Sequence, residues 1–202
     1  MEELEKDNNK FFKYYFEYVS KIALCINTKM LNEIILELVK LRNNKGRLIF
    51  LGVGGSAGNC SHAVNDFRKL CGIDAITPVD NVSELTARTN DEGWATVFSE
   101  WMKVTNCNQK DALFIFSVGG GDLEKNVSVN LINAVDVAKE KKMKIFGVVG
   151  REGGYVKKNS NLVITVPSKD SNLITPISES FQSLIWHSIV SHPNFQINKT
   201  KW

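Results

Sequence analysis

Two of the chain's three histidines stand where they can do chemistry. His62 precedes Asp66 by four residues, so on a helix both side chains leave the same face one turn apart. His187 lies in the otherwise apolar stretch Ser183-Leu184-Ile185-Trp186-His187-Ser188-Ile189-Val190, where a polar ring requires a partner. Glu179 comes eight residues earlier, roughly 12 Å of helical rise and about 80° of rotation away, so it and His187 can bracket a ligand without touching. Together the four groups make a two-histidine, two-carboxylate set suited to zinc or a similar divalent ion. Plainer readings stand beside this one: His187 as a hydrogen-bonded core residue, and Asp66 as a surface carboxylate paired with Arg68 or Lys69. His192, before a proline, reads as a helix-end residue.

Two glycine-rich turns accompany these residues. In Phe50-Leu51-Gly52-Val53-Gly54-Gly55-Ser56-Ala57 an apolar run breaks at glycines and resumes with helical spacing, which reads as strand, tight turn, helix. The free amides of such a helix start offer hydrogen bonds and partial positive charge to an anion, and a phosphate fits there. Ser117-Val118-Gly119-Gly120-Gly121-Asp122 again joins a strand to a helix. Ligands of open parallel sheets sit beyond the carboxyl ends of the strands, so two such turns on one edge imply one anionic ligand held from both sides, with Ser56 and Ser117 adding hydroxyl donors. The plainer alternative is that the glycines only make tight turns. Neither turn carries the dinucleotide fingerprint or the Gly-Lys-Ser/Thr of a nucleotide triphosphate site, which disfavours nucleotides.

These residues need a scaffold, and the apolar pattern supplies one. Two amphipathic helices are predicted between about Asn8 and Leu41, broken near Asn27-Thr28. Strands follow at Arg47–Gly52, Ala112–Ser117, Lys144–Val149 and Leu162–Val166, with a weaker one at Ile73–Ile76. Helices are predicted over Ala57 to about Lys69, Leu123–Lys141 and about Pro176–Ser191. Strand–helix alternation with near-continuous apolar strands means an α/β fold, a parallel sheet of about five strands covered on both faces. At 202 residues and 43% apolar content one domain is expected, residues 1–202, with helices over 1–45 and an αβα core over 46–202. The formal net charge of +3 and the lack of basic blocks give nucleic-acid binding no support. No apolar run approaches the length of a bilayer span, and the opening MEELEKDNNK is acidic where a signal peptide would be basic, so a cytosolic protein is expected. Cys25, Cys60, Cys71 and Cys107 lack CxxC spacing and read as reduced filler.

With these motifs in place the chain resembles the sugar isomerase (SIS) domain family and, within it, the bacterial sedoheptulose 7-phosphate isomerases, also called phosphoheptose isomerases. Three segments carry the likeness: Gly52 to Ala57 followed by His62 and Asp66; Ser83-Glu84-Leu85-Thr86-Ala87-Arg88-Thr89-Asn90-Asp91-Glu92-Gly93-Trp94; and Gly150-Arg151-Glu152-Gly153-Gly154. The resemblance implies a flavodoxin-like three-layer αβα sandwich in a homotetramer, with active sites built from more than one subunit. It also implies a zinc ion held at His62, Asp66, Glu179 and His187. The implied reaction turns sedoheptulose 7-phosphate into glycero-manno-heptose 7-phosphate through an enediol, for surface polysaccharide, with Asp66 as base and His187 as acid. Gly54, Gly55, Ser56, Ser117, Gly119, Gly120 and Gly121 would bind the phosphate end and Asp91 the sugar hydroxyls. Isomerisation of another sugar phosphate, or a non-catalytic sugar-phosphate-binding regulator or scaffold, are the alternatives.

The chain also departs from the family pattern. Asp66 replaces the usual glutamate, moving the carboxylate by about 1.5 Å, and Val53 replaces an asparagine. Glu179 stands for a glutamine, which adds negative charge for a divalent ion. The usual Ser-Thr-Ser-Gly-Asn-Ser phosphate loop is Ser117-Val118-Gly119-Gly120-Gly121-Asp122, three hydroxyl donors poorer. Asp122 would repel a phosphate there, so it is expected to turn back and cap the helix that follows.

Overall fold

The computed structural model describes residues 8–200. Residues 1–7, most of the acidic opening segment, lie outside the described residues together with 201–202. The two amphipathic helices form as α1 (Asn8–Leu24) and α2 (Thr28–Asn43), divided where the Asn27 side chain accepts from the Met30 amide at 3.0 Å and so starts α2. The chain continues through β1 (Arg47–Leu51), α3 (Gly55–Cys71), β2 (Asp74–Ile76), α4 (Val82–Asp91), α5 (Val97–Val104), β3 (Ala112–Ser117), α6 (Val129–Glu140), β4 (Lys144–Val149), α7 (Gly154–Asn159), β5 (Leu162–Thr165) and α8 (Ile174–Val190).

All five strands are parallel, in the order β2-β1-β3-β4-β5. Alternate residues face opposite layers. Leu48, Phe50, Phe114 and Phe116 pack with α2, α3 and α8 on one face, whereas Ile49, Leu51, Leu113 and Ile115 pack with α5 and α6 on the other. Because both faces are covered, β3 is buried at every position, as its unbroken apolar run requires. The strand order reverses between β1 and β3, and at such a switch point the connections leave to opposite sides and open a crevice. Both glycine turns lie there. Among the described residues no helix is long and apolar enough to cross a membrane.

Two stretches differ from expectation. Between β2 and β3, where no element was expected, α4 and α5 form with short 3-10 turns at Pro78–Asp80 and Trp94–Thr96. α4 fully buries no residue, with only its Leu85 packed partly against the core, and the Asn81 side chain starts it by accepting from the Glu84 amide. The helix expected from Leu123 begins only at Val129. Asp122 and Val127 instead exchange backbone hydrogen bonds across a small antiparallel bridge, with Asn126 and Ser128 at positive φ. Asp122 therefore caps no helix: its carboxylate accepts from the Lys125 amide at 3.1 Å inside that turn. This hydrogen bond, with the Lys125 ammonium at 3.4 Å, holds the carboxyl below the usual range.

One ion pair ties the start of β1 to the start of β3. Asp111, 3% exposed, accepts from the Arg47 amide, Nε and Nη2 and from the Asn108 amide. Burial raises its pKa, but the Arg47 bonds and the backbone donors outweigh that and leave it lowered. Asp111→Asn is expected to cost about 2–3 kcal/mol of stability in urea unfolding, a figure discounted because Arg47 is partly exposed. A carboxyl whose folded pKa is depressed stabilises fully above its unfolded value near 4, and that contribution is lost as pH falls through the folded value. The difference between variant and parent should accordingly shrink below about pH 4.

Candidate active site

Helices α3 and α8 pack together through Ala63, Phe67, Phe181, Ile185, Trp186 and Ile189 in one apolar cluster, and this contact brings the polar residues on their edges side by side. His62 Nε2 lies 3.9 Å and His187 Nε2 4.0 Å from the same Asp66 atom, Oδ2. Ligand atoms of the three residues all fall within 4.8 Å of one another. Asp66 is buried, and the Asn65 side chain donates to its other oxygen at 2.8 Å, which leaves Oδ2 toward the imidazoles. His187 Nδ1 is 2.8 Å from the Ser183 carbonyl. A carbonyl can only accept, so Nδ1 carries the proton and Nε2 presents its lone pair, the orientation by which metal-ligating histidines are fixed. The Trp186 indole stacks on His187 with ring centroids 3.5 Å apart and meets His62 edge-on at 4.7 Å, holding both rings from below.

Glu179 is not in this group. Its carboxylate lies against Gly55 at the first turn of α3, where a Cβ added to the glycine would meet it, and its own carbonyl accepts from Asn59. There the acidic group faces the positive end of the helix.

The switch-point crevice is a cavity of about 260 Å³ whose polar lining is Ser56, Ser117, Gly119, Ser128, Arg151 and Thr175. Val53, Val118 and Val127 complete it and offer no side-chain donors. Gly54 stands at φ +63 as the residue before α3, with no side-chain cap; neither it nor Gly55 is in the cavity lining, and the Glu179 carboxylate occupies the space against Gly55. The Ser56 hydroxyl has no hydrogen-bond partner among the described residues. Asp122 is not in the lining, so the turn that binds its carboxylate to Lys125 also keeps it off an anion in the crevice.

The three glycines of the second turn divide. Gly119 lines the cavity. Gly120 and Gly121 are buried, their carbonyls accept from Val156 and Tyr155 at 2.8 and 3.0 Å, and the Gly120 amide donates to Ser117 Oγ at 3.0 Å. These two glycines let the β3 turn dock on the β4 turn, and their hydrogen-bonding groups are engaged within the protein. A Cβ on Gly120, at φ +71, would strike the Gly153 backbone carbonyl. Gly120→Ala is expected to cost about 2–4 kcal/mol, the sum of a left-handed alanine and an overpacked backbone contact, measured as a fall in the urea midpoint. Asp91 is exposed at the end of α4, accepts from Asn90, and lies outside the cavity lining. Arg151, Ser128 and Thr175 were not among the residues expected in the site. Arg151 stands within a segment that carries the family likeness, but its approach to the crevice depends on a turn conformation that spacing does not encode.

The five-stranded parallel sheet covered on both faces is a fold that this chain shares with sugar isomerase domains, among them that of a Sphaerobacter thermophilus transcription factor, with a TM-score of 0.61 at 12% identity over 89% of this chain and 85% of that one. A solved phosphoheptose isomerase from Neisseria gonorrhoeae shares the fold with a TM-score of 0.77 at 23% identity, over 91% of this chain and 96% of that one. No family model matches the chain. The phosphoheptose isomerase of Helicobacter pylori strain P12 is 31% identical over 166 residues, 79% of this chain and 80% of the relative, and the chain belongs to the phosphoheptose isomerase family. A lincomycin biosynthesis protein of Streptomyces lincolnensis is 32% identical over 158 residues, covering 73% of this chain and 56% of its own.

Proposed function

We propose that the protein is an aldose–ketose isomerase that interconverts sedoheptulose 7-phosphate and D-glycero-D-manno-heptose 7-phosphate. The observation that carries this reading is the meeting of His62, Asp66 and His187 in a chain of the phosphoheptose isomerase family. Phosphate held in the crevice by Ser56, Ser117 and the Gly119 backbone anchors one end of the sugar. Asp91, outside this cavity, would act on sugar hydroxyls in the assembled oligomer.

The proton steps follow from the residues. Asp66 removes a proton from C1 of the ketose while His187, protonated at Nε2, gives one to the C2 oxygen, and an enediol forms. Asp66 then returns its proton to C2 and His187 takes the proton of the C1 hydroxyl, leaving the aldose. Burial of Asp66 and its Asn65 bond fix the carboxylate, so the same oxygen can serve both carbons.

A divalent ion, zinc in our reading, fits the donor set: two imidazole nitrogens and one carboxylate converge, with the His187 tautomer set by Ser183. His62, Asp66 and His187 would hold it, with Glu179 as the fourth ligand in our reading, and it would supply Lewis-acid stabilisation of the charge that develops on the sugar oxygens. With its lone pair engaged His187 is a ligand, and with a proton it is the acid, so Nε2 serves one duty at a time.

We further read the protein as a single cytosolic domain that assembles into a homotetramer for heptose supply to surface polysaccharide. Phe12 and Phe16 on α1 are 57% and 66% exposed, an apolar face suited to a second copy of the chain. A panel of five-, six- and seven-carbon ketose phosphates, assayed for aldose formation with divalent metal supplied, tests the reading. Turnover highest with the seven-carbon substrate is expected; preference for a shorter sugar would reject the substrate, and no turnover at all would reject the isomerase.

A further inference from the structure

We propose that Arg151 is the phosphate-binding cation of the crevice and takes over from the hydroxyl donors that the loop at 117–122 does not carry. The inference deepens the isomerase reading above and rests on its assignment of the crevice to a sugar phosphate.

Four observations converge on this residue. First, Arg151 is the one cationic side chain in the cavity lining among the described residues. Second, the neutral donors around it are few: Val118 and Gly119 have no side-chain donor, the Gly120 amide is bound to Ser117 Oγ, and Gly120 and Gly121 are buried against α7. A phosphate dianion entering the crevice would thus meet hydroxyls with no charge to balance its own, unless Arg151 contributes. Third, the guanidinium has no ion pair or hydrogen bond among the described residues. Asp122, the acidic residue of the loop at 117–122, is bound to Lys125. Fourth, Arg151 sits at φ +49 between β4 and the Gly153-Gly154 turn, a left-handed conformation that an arginine holds at a cost and a glycine would hold freely. Arg151 shares the cavity lining with Ser56 and Ser117, and a guanidinium's planar fork can bind two phosphate oxygens at once.

The left-handed φ makes the test clean, because Arg151→Gly deletes the cation and relaxes the backbone together. Its folding stability should equal or exceed that of the parent. Titration calorimetry with inorganic phosphate is expected to give a dissociation constant about tenfold weaker for Arg151→Gly, with Arg151→Lys in between because an ammonium keeps the charge without the fork. The KM for sedoheptulose 7-phosphate should rise by a similar factor with a smaller change in kcat. Equal phosphate affinity in Arg151→Gly and parent, or no phosphate binding by the parent, would overturn the proposal. Weakened phosphate binding in Arg151→Gly, in a protein that turns over no sugar phosphate, would uphold Arg151 and remove the isomerase reading instead.

Discussion

Asp66→Asn is expected to lower kcat/KM for sedoheptulose 7-phosphate by about a thousandfold while leaving the protein folded. The amide keeps the shape of the carboxylate but cannot take a proton from carbon, and positioned acid–base groups contribute about 10²- to 10⁴-fold. Asp66 is buried at the α3–α8 contact, so a change of fold must be separated from a change of chemistry. The Asn65 side chain can rotate to donate or accept, so the amide is accommodated, and the thermal midpoint should move little. Asp66→Glu supplies a second check. A glutamate stands here in the family pattern that the chain resembles, and the longer side chain should return a large part of the rate. A variant Asp66→Asn with near-parental turnover would remove Asp66 from the proton path.

The second large effect concerns the imidazoles. Elemental analysis of the gently purified parent is expected to find about one divalent ion per chain, and the double variant His62→Ala, His187→Ala is expected to retain almost none. Two of the three converging donors are then gone, and one carboxylate with a distant Glu179 does not make a tight site for a transition-metal ion. Both histidines are about half exposed, at 58% and 46% of their side-chain surface, so their loss leaves no buried cavity beneath them and the fold should persist. Metal retained undiminished in the double variant would reject the ligand set. The single variant His187→Ala separates the two duties of Nε2: loss of rate with metal retained assigns it the acid role, and loss of both assigns it to the ion.

Much of the scaffold was legible because apolar periodicity is dense where both faces of a strand are buried. β1, β3 and β4 stand out as near-continuous apolar runs, and the His62–Asp66 spacing places both groups on one face once α3 is accepted as a helix. The five-stranded parallel sheet and the α/β class followed from that alternation. Legibility ended where local hydrogen bonding competes with periodicity. Asp122 to Asn126 looks like a helix start, yet the aspartate closes a turn on Lys125 and delays α6 to Val129. α4 fully buries no residue and is only ten residues long, so it lacks the dense apolar run that marks the strands and longer helices. Within the site, the spacing on α3 and α8 named the converging residues, but not where Glu179 points, since a helical address leaves the rotamer open. Gly120 and Gly121 read as an anion cradle from composition alone, whereas their carbonyls belong to α7, a contact between turns more than 30 residues apart in the chain. Arg151 escaped notice for the same reason: its relevance depends on a left-handed backbone at a turn whose neighbour in space is distant in sequence.

We propose that Asp66 moves a carbon-bound proton of a ketose phosphate held at the switch-point crevice. Incubating the metal-supplied protein with sedoheptulose 7-phosphate in deuterium oxide, and following the sugar by proton NMR, tests it directly. A new aldose anomeric signal together with deuterium exchange at C1 of the ketose is expected, both abolished by Asp66→Asn. Neither aldose nor exchange in the parent, or exchange that persists in Asp66→Asn, would contradict it.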